Sequence, residues 1–211
     1  MTIEYKPRTT LLSRLSQKYG SDKGAPLGAK SPFAWDYHTY TDVYTLMFDH
    51  CRDSVKNVFE LGLGTNNLDV PSSMGLVGKP GASLYMWREY FYNADIYGAD
   101  IDERILFSDD DILTYYVDQT SGSSIEAMWS RIDTDFDLII DDGLHDYNAN
   151  ITFFEHSKHR VRSGGVYIIE DIAYANIERF REYFSDYNAD FLVLHRPNIA
   201  IQSNCLGIIH L

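Results

Sequence analysis

The sequence is poor in cations, in cysteine and in long apolar runs, and each shortage narrows what the chain can be. Eighteen Lys and Arg stand against 31 Asp and Glu in 211 residues, a formal net charge of −13 at pH 7. Such a surface repels a phosphate backbone or an anionic lipid headgroup, so neither nucleic acid nor membrane is an expected partner. The two cysteines, Cys51 and Cys205, have no metal-ligand spacing and build no disulfide framework, which suits a reducing compartment. No stretch approaches the roughly 18 apolar residues of a membrane helix. The N-terminal MTIEYKPRTTLLSRLSQKYG holds no apolar run of signal-peptide length. A cytoplasmic protein is the expectation, and a homo-oligomer is compatible with it.

Hydrophobic content of 45% and aromatic content of 14% are those of a folded chain. The length suits one domain over 1–211, with 1–56 as a helical extension capping a core at 57–211. From residue 57 onward, short β-rich runs alternate with helical patterns. The runs are NVFELGLG, DIYGADID, LTYYVDQ, FDLIIDDG, GGVYIIEDI, FLVLHRP and CLGIIHL. Helical patterns at 81–91, 124–132, 148–160 and 175–184 make most connections crossovers, and the extension carries two more at 9–18 and 39–51. The last two strands, 191–198 and 205–211, are too close for a crossover and form an antiparallel hairpin. The expected fold is α/β: a seven-stranded, mostly parallel Rossmann-like sheet with helices on both faces, the topology of class I methyltransferases.

The first core strand ends in Glu60-Leu61-Gly62-Leu63-Gly64, where small residues let the backbone approach a ligand. A dinucleotide fingerprint needs a third glycine at 67, but Asn67 is there, which argues against a nicotinamide or flavin enzyme. Glu60 suits the cationic amino-acid end of S-adenosylmethionine. Asp100, at the end of the second strand, is placed to accept both ribose hydroxyls, with Asp102 as a fallback. Asp118 and Gln119 can hydrogen-bond an adenine edge. The stretch at 65–81 is long for a strand-to-helix loop, and loops of that length are usually functional or mobile.

The strongest signal is the meeting of Asp141, Asp142 and His145 after the fourth strand with Glu170 and Asp171 after the fifth. Neighbouring strands lie about 4.8 Å apart, so Asp142, Glu170 and Asp171 can share one ion. Clustered carboxylates at the end of an apolar sheet are costly without a neutralising cation. Oxygen ligands favour Mg²⁺ or a similar divalent cation whose waters a diol can displace. His145 is then a candidate general base, Asp142 its catalytic neighbour, and Asp141 belongs with the donor-side residues. Trp35, Tyr37, Tyr40 and Tyr44 offer faces for a sugar ring. Asp109, Asp110 and Asp111 read as a solvated turn.

ELGLG, GASLYMWREYF, IYGADID, VDQTS, IIDDGLH and GGVYIIED occur here in the order found in a known family, and YGSDKG at 19–24 with WDYHTYTDVY precedes them. Over residues 18–172 the chain resembles the sugar O-methyltransferases that tailor macrolide and aromatic polyketide glycosides, and related enzymes of bacterial surface-polysaccharide clusters. The resemblance implies S-adenosylmethionine and Mg²⁺ as cofactors, Asp142, Glu170 and Asp171 as metal ligands, and His145 as general base. It places Glu60, Asp100, Asp118 and Gln119 around the donor. The implied acceptor is a small molecule or glycan: a glycoside, a nucleotide-sugar or a polysaccharide unit. Leu144 stands where antibiotic-tailoring members generally have Ser, and the 65–81 loop is longer than in many of them. Two other readings remain beside it. One is methyl transfer to another small acceptor, such as a phosphate-linked group or a catechol-like diol. The other is a non-enzymatic Rossmann-like binding protein.

Overall fold

The computed structural model describes residues 2–4, 8–195 and 204–211. Among these residues the sheet has nine strands: β1 (Thr2–Glu4), β2 (Asn57–Leu61), β3 (Asp95–Asp100), β4 (Ser108–Asp109), β5 (Ile112–Tyr116), β6 (Phe136–Asp141), β7 (Val161–Ile169), β8 (Asn188–His195) and β9 (Cys205–His210). The order across the sheet is β1-β8-β9-β7-β6-β2-β3-β5-β4. Strands β5, β3, β2, β6 and β7 are parallel neighbours. β9 runs antiparallel between β7 and β8, so β8 keeps the direction of the central five.

The seven expected strands are all present, and the last two pair antiparallel from Val193↔Cys205 to Asn188↔His210. The expected extension of the sixth strand to 198, and the connection that follows it, lie outside the described residues. Two edge strands add to the expectation. β1 pairs parallel with β8, and β4 pairs antiparallel with β5 around a turn at Asp110, whose φ is 37°. With three and two residues, neither is long enough to show a two-residue period in the sequence.

Alternation along the strands divides the core in two. Val58, Ile96, Leu138, Ile140 and Ile168 point to one face. There they meet α1 (Leu11–Tyr19), α2 (Tyr40–Phe48) and α3 (Ala82–Tyr90), with Tyr44 and Trp87 fully buried among them. Phe59, Ile139, Tyr167 and Ile169 point to the other face, against α4 (Gly122–Trp129), α5 (Tyr147–Ser157) and α6 (Ile177–Tyr183). Every residue of β6 is buried, as an inner parallel strand covered on both faces requires.

Local chemistry fixes the helix ends. Thr10 and Ser13 form a reciprocal capping box at the start of α1, and Gly20 ends that helix in the left-handed region at φ 91°. Asp146 accepts from the backbone N–H groups of Asn148 and Ala149 at the start of α5. Among the described residues no helix is long and apolar enough to cross a membrane.

Candidate active site

Strand register brings the chemistry to one end of the sheet. Leu61 pairs with Asp141, and Asp141 pairs with Ile169, so Gly62, Asp142 and Glu170 leave their strands side by side. Gly62 is required there for a backbone reason. Its φ is 91°, and a Cβ on it would lie 2.0 Å from the Asp142 carbonyl oxygen. The Asp142 N–H donates to the Leu61 carbonyl at 2.9 Å, closing the same junction.

A cavity of about 460 Å³ opens over this end. Gly62, Gly64, Asp100, Asp118 and Gln119 line it, together with Asp142, His145 and Asp171. Asp100 is buried. Its Oδ2 accepts from the Leu63 N–H at 2.7 Å and its Oδ1 from the Asp102 N–H at 2.9 Å, which fixes the carboxylate at the cavity wall. Ile101, 45% exposed, presents an apolar surface beside it. Gln119 donates to Asp141 at 2.8 Å and accepts from the Leu144 N–H at 2.7 Å, tying the ends of β5 and β6 together.

Asp102, the fallback to Asp100 for the ribose, has its carboxylate engaged within the protein. It accepts from Thr65 at 2.5 Å, Asn67 at 2.7 Å and Arg104 at 2.6 Å, and the Arg104 bond foremost holds its carboxyl well below the usual range. These bonds pin the 65–81 loop, whose Val70, Pro71, Ser72 and Met74 form one cavity wall.

Two expected donor-site residues are turned away from the cavity. Glu60 is fully buried beneath α3, where Ser83 donates to it at 2.6 Å and the Trp87 indole N–H also donates to it. Asp141 is fully buried on the opposite face with Gln119, and burial pushes its carboxyl up to about 6. Strand alternation explains both placements, because each side chain follows the parity of its strand into a helix layer.

The acids after β6 and β7 split in the same way. Asp142, His145 and Asp171 offer ligand atoms that all lie within 4.8 Å of one another. The His145 ring stands 3.2 Å from Asp142 Oδ1 and 3.6 Å from Asp171 Oδ2. His145 and Asp171 both hold left-handed backbone, with φ 59° and 53°. His and Asp tolerate that region better than most residues, yet the strain costs roughly 1 kcal/mol for each. Glu170, expected to share an ion with Asp142 and Asp171, points instead into the α1–α3 layer. There it accepts from the Tyr44 hydroxyl at 2.6 Å and from Lys23.

Lys23 is a site residue that sequence reasoning missed. Its side chain is 2% exposed, with the ammonium 2.5 Å from Asp142 Oδ2, bonded to Glu170, and 3.5 Å from Glu60. Burial opposes its charge, but the carboxylates of Asp142, Glu170 and Glu60 outweigh it and hold the amine well above its ordinary value. Burial pushes Glu60 and Glu170 up toward the neutral form. Asp142 goes the other way: its burial is overcome by Lys23 and His145, which favour the carboxylate. Burial likewise opposes the charged His145 ring, but the bond to Asp142 and the charges of Asp171, Asp142 and Asp141 raise it to about 9.

The N-terminal segment supplies more of the site. Asp22 lines the cavity and accepts from the Trp35 indole at 2.7 Å. The Tyr40 hydroxyl donates to Asp171 Oδ1 at 2.7 Å, and His38 stands 3.4 Å from the same oxygen. Of the aromatic residues considered for sugar stacking, Tyr37, Tyr40 and Tyr44 are buried, and only Trp35 keeps a partly open ring. The YGSDKG motif at 19–24 was the signal available for Asp22 and Lys23, but a motif does not say which acids an ammonium will meet.

The oxygen-rich set of Asp142 and Asp171, with a histidine beside them and an excess of negative charge, fits a hard divalent cation. A family model described as a methyltransferase domain matches residues 77–172. The chain is 30% identical over 175 residues to the 8-demethyl-8-alpha-L-rhamnosyl tetracenomycin-C 2'-O-methyltransferase of Streptomyces olivaceus, covering 83% of this chain and 41% of that protein. It is 32% identical over 162 residues to the mycinamicin VI 2''-O-methyltransferase of Micromonospora griseorubida, covering 76% and 36%. A solved structure of MycE methyltransferase from the mycinamycin biosynthetic pathway, in complex with Mg, SAH and mycinamycin VI, matches with a TM-score of 0.69. The identity is 25%, over 97% of this chain and 55% of that one. The chain spans less than half the length of these two curated relatives. With a methyltransferase-domain match over 77–172, this sheet order and these relatives, the chain is similar to the sugar O-methyltransferases of macrolide and polyketide tailoring.

Proposed function

We propose that the protein transfers the methyl group of S-adenosylmethionine to a sugar hydroxyl, assisted by Mg²⁺ or a similar divalent cation. The observation that carries this reading is one cavity joining the Asp100 and Asp118 end to the Asp142, His145 and Asp171 cluster. That continuity gives a donor and an acceptor room to meet within one cavity. In this reading Asp100 receives the ribose hydroxyls, Ile101 and Asp118 flank the adenine, and Gly62 and Gly64 keep the floor clear. Glu60 and Asp141 shape the floor from beneath.

Asp142 and Asp171 would hold the cation, with Asp22 close by on the same wall. When bound, the cation would lower the pKa of an acceptor hydroxyl and orient it. Asp142 and Asp171, if they shared their charge with a cation, would hold the His145 proton less firmly. The imidazole can then take the hydroxyl proton as the methyl group moves. The curated relatives are named for 2'-O-methylation of a rhamnosyl tetracenomycin and 2''-O-methylation of mycinamicin VI. A deoxysugar glycoside is therefore the first acceptor to try, with nucleotide-linked and polysaccharide sugars next, and a cytoplasmic setting accords with the donor. The test is incubation with S-adenosylmethionine, Mg²⁺ and a panel of L-rhamnosides, following S-adenosylhomocysteine and methylated product. Acceptor-dependent product that Asp142→Ala abolishes supports the reading. Donor turnover indifferent to every sugar, but stimulated by a catechol or a phosphate ester, transfers the activity to that acceptor class.

A further inference from the structure

Lys23 has a place in the site that its motif alone does not reveal. Its backbone is pinned on both sides: the His38 N–H donates to the Asp22 carbonyl at 2.9 Å, and the Thr41 N–H donates to the Lys23 carbonyl at 3.2 Å. The next residue, Gly24, packs so closely on α2 that a Cβ there would lie 2.0 Å from the Thr41 hydroxyl oxygen. With its side chain 2% exposed, the ammonium is a fixed internal charge. It bonds one oxygen of Asp142, Oδ2, while the other, Oδ1, faces His145 at 3.2 Å.

We propose that Lys23 is a positioning residue for the Asp142, His145 and Asp171 cluster. Its ammonium holds Asp142 by Oδ2, presents Oδ1 to the cavity, and by its charge keeps the affinity of the cluster for a divalent cation low. The inference rests on reading that cluster as a cation site. A positive charge bonded to a ligand carboxylate repels an incoming cation and occupies an oxygen that the cation would otherwise share. Glu60 and Glu170 are the ammonium's other acidic neighbours, within the same buried layer.

The test is titration of Mn²⁺ into the donor-free protein, with free Mn²⁺ read by electron paramagnetic resonance. Lys23→Met is expected to bind Mn²⁺ at least tenfold more tightly than the wild type. Equal or weaker binding overturns the proposal. Should three buried acids without their cation prevent Lys23→Met from folding, Lys23→Met combined with Glu60→Gln removes one charge of each sign. Compared with Glu60→Gln alone, that variant is expected to bind at least fivefold more tightly, and equal or weaker binding overturns the proposal. Mn²⁺ binding that is indifferent to Lys23 sinks this inference alone. No Mn²⁺ binding by any variant sinks it together with the cation reading.

Discussion

Lys23 and Asp142, 119 positions apart in the chain, meet at 2.5 Å beneath the mouth of the cavity. The contact joins the N-terminal segment to the end of β6, and through Asp142 it reaches His145. One carboxylate therefore has two tasks, holding the fold's buried cation and facing the chemistry.

Asp142→Ala is expected to lower methyl transfer by roughly a hundred- to ten-thousandfold, the usual worth of an acid–base assembly. S-adenosylmethionine affinity should stay within severalfold, because the donor-side residues lie at the ends of β2, β3 and β5. Single-turnover kinetics and calorimetry on the same preparation separate the two effects. A comparable loss in both would mean that Asp142 supports the whole cavity.

The His145 ring gives a pH signature. The folded chain binds its proton more tightly than the unfolded chain does, with a pKa raised from 6.5 to about 9. The stabilisation is complete below about 6.5 and fades as pH rises through about 9. Without divalent cation, the difference in melting temperature between wild type and His145→Gln should shrink across that window. A difference constant from pH 6 to pH 10 would contradict it. Added Mg²⁺ should lower the ring's titration midpoint in NMR, because it takes a share of the Asp142 and Asp171 charge.

Gly62→Ala is expected to cost at least about 2 kcal/mol in chemical denaturation, combining left-handed backbone with a clash against the Asp142 carbonyl. Gly164 is the control: its φ is 80°, but nothing lies within 4 Å of a Cβ built there. Gly164→Ala should cost only about 1 kcal/mol, from the backbone alone. Equal costs at the two positions would show that the junction at Gly62 can relax.

Asp100→Asn should weaken S-adenosylmethionine binding by about ten- to a hundredfold, the worth of charge-assisted hydrogen bonds. The fold should survive, since Asn keeps one of the two acceptors that now serve Leu63 and Asp102. Unchanged affinity in calorimetry would move the ribose elsewhere in the cavity.

The sheet and its helices were legible in the sequence because the runs at 57–61, 95–100, 136–141 and 161–169 are apolar, and the intervening patterns have helical spacing. The meeting of Asp142, His145 and Asp171 was legible because each follows a strand whose neighbour is set by topology. Which way each acid points was not read, although period-two alternation holds part of the answer. Glu60 and Glu170 share parity with Val58 and Ile168 and so enter the α1–α3 layer. Asp141 shares parity with Ile139 and enters the other. What alternation cannot supply is the partner. Lys23, Tyr40 and Tyr44 arrive from a segment outside the core crossovers, and their docking depends on packing between elements far apart in the chain.

S-adenosylmethionine is expected to bind in the cavity over Gly62 and Asp100. The most direct test is calorimetric titration of the donor into purified protein freed of copurified ligand, with and without Mg²⁺. One site of micromolar affinity is expected, weakened by Asp100→Asn and little changed by Asp142→Ala. No detectable heat under either condition, from protein whose circular dichroism shows it folded, would rule out donor binding and leave a Rossmann-like binding protein of another kind.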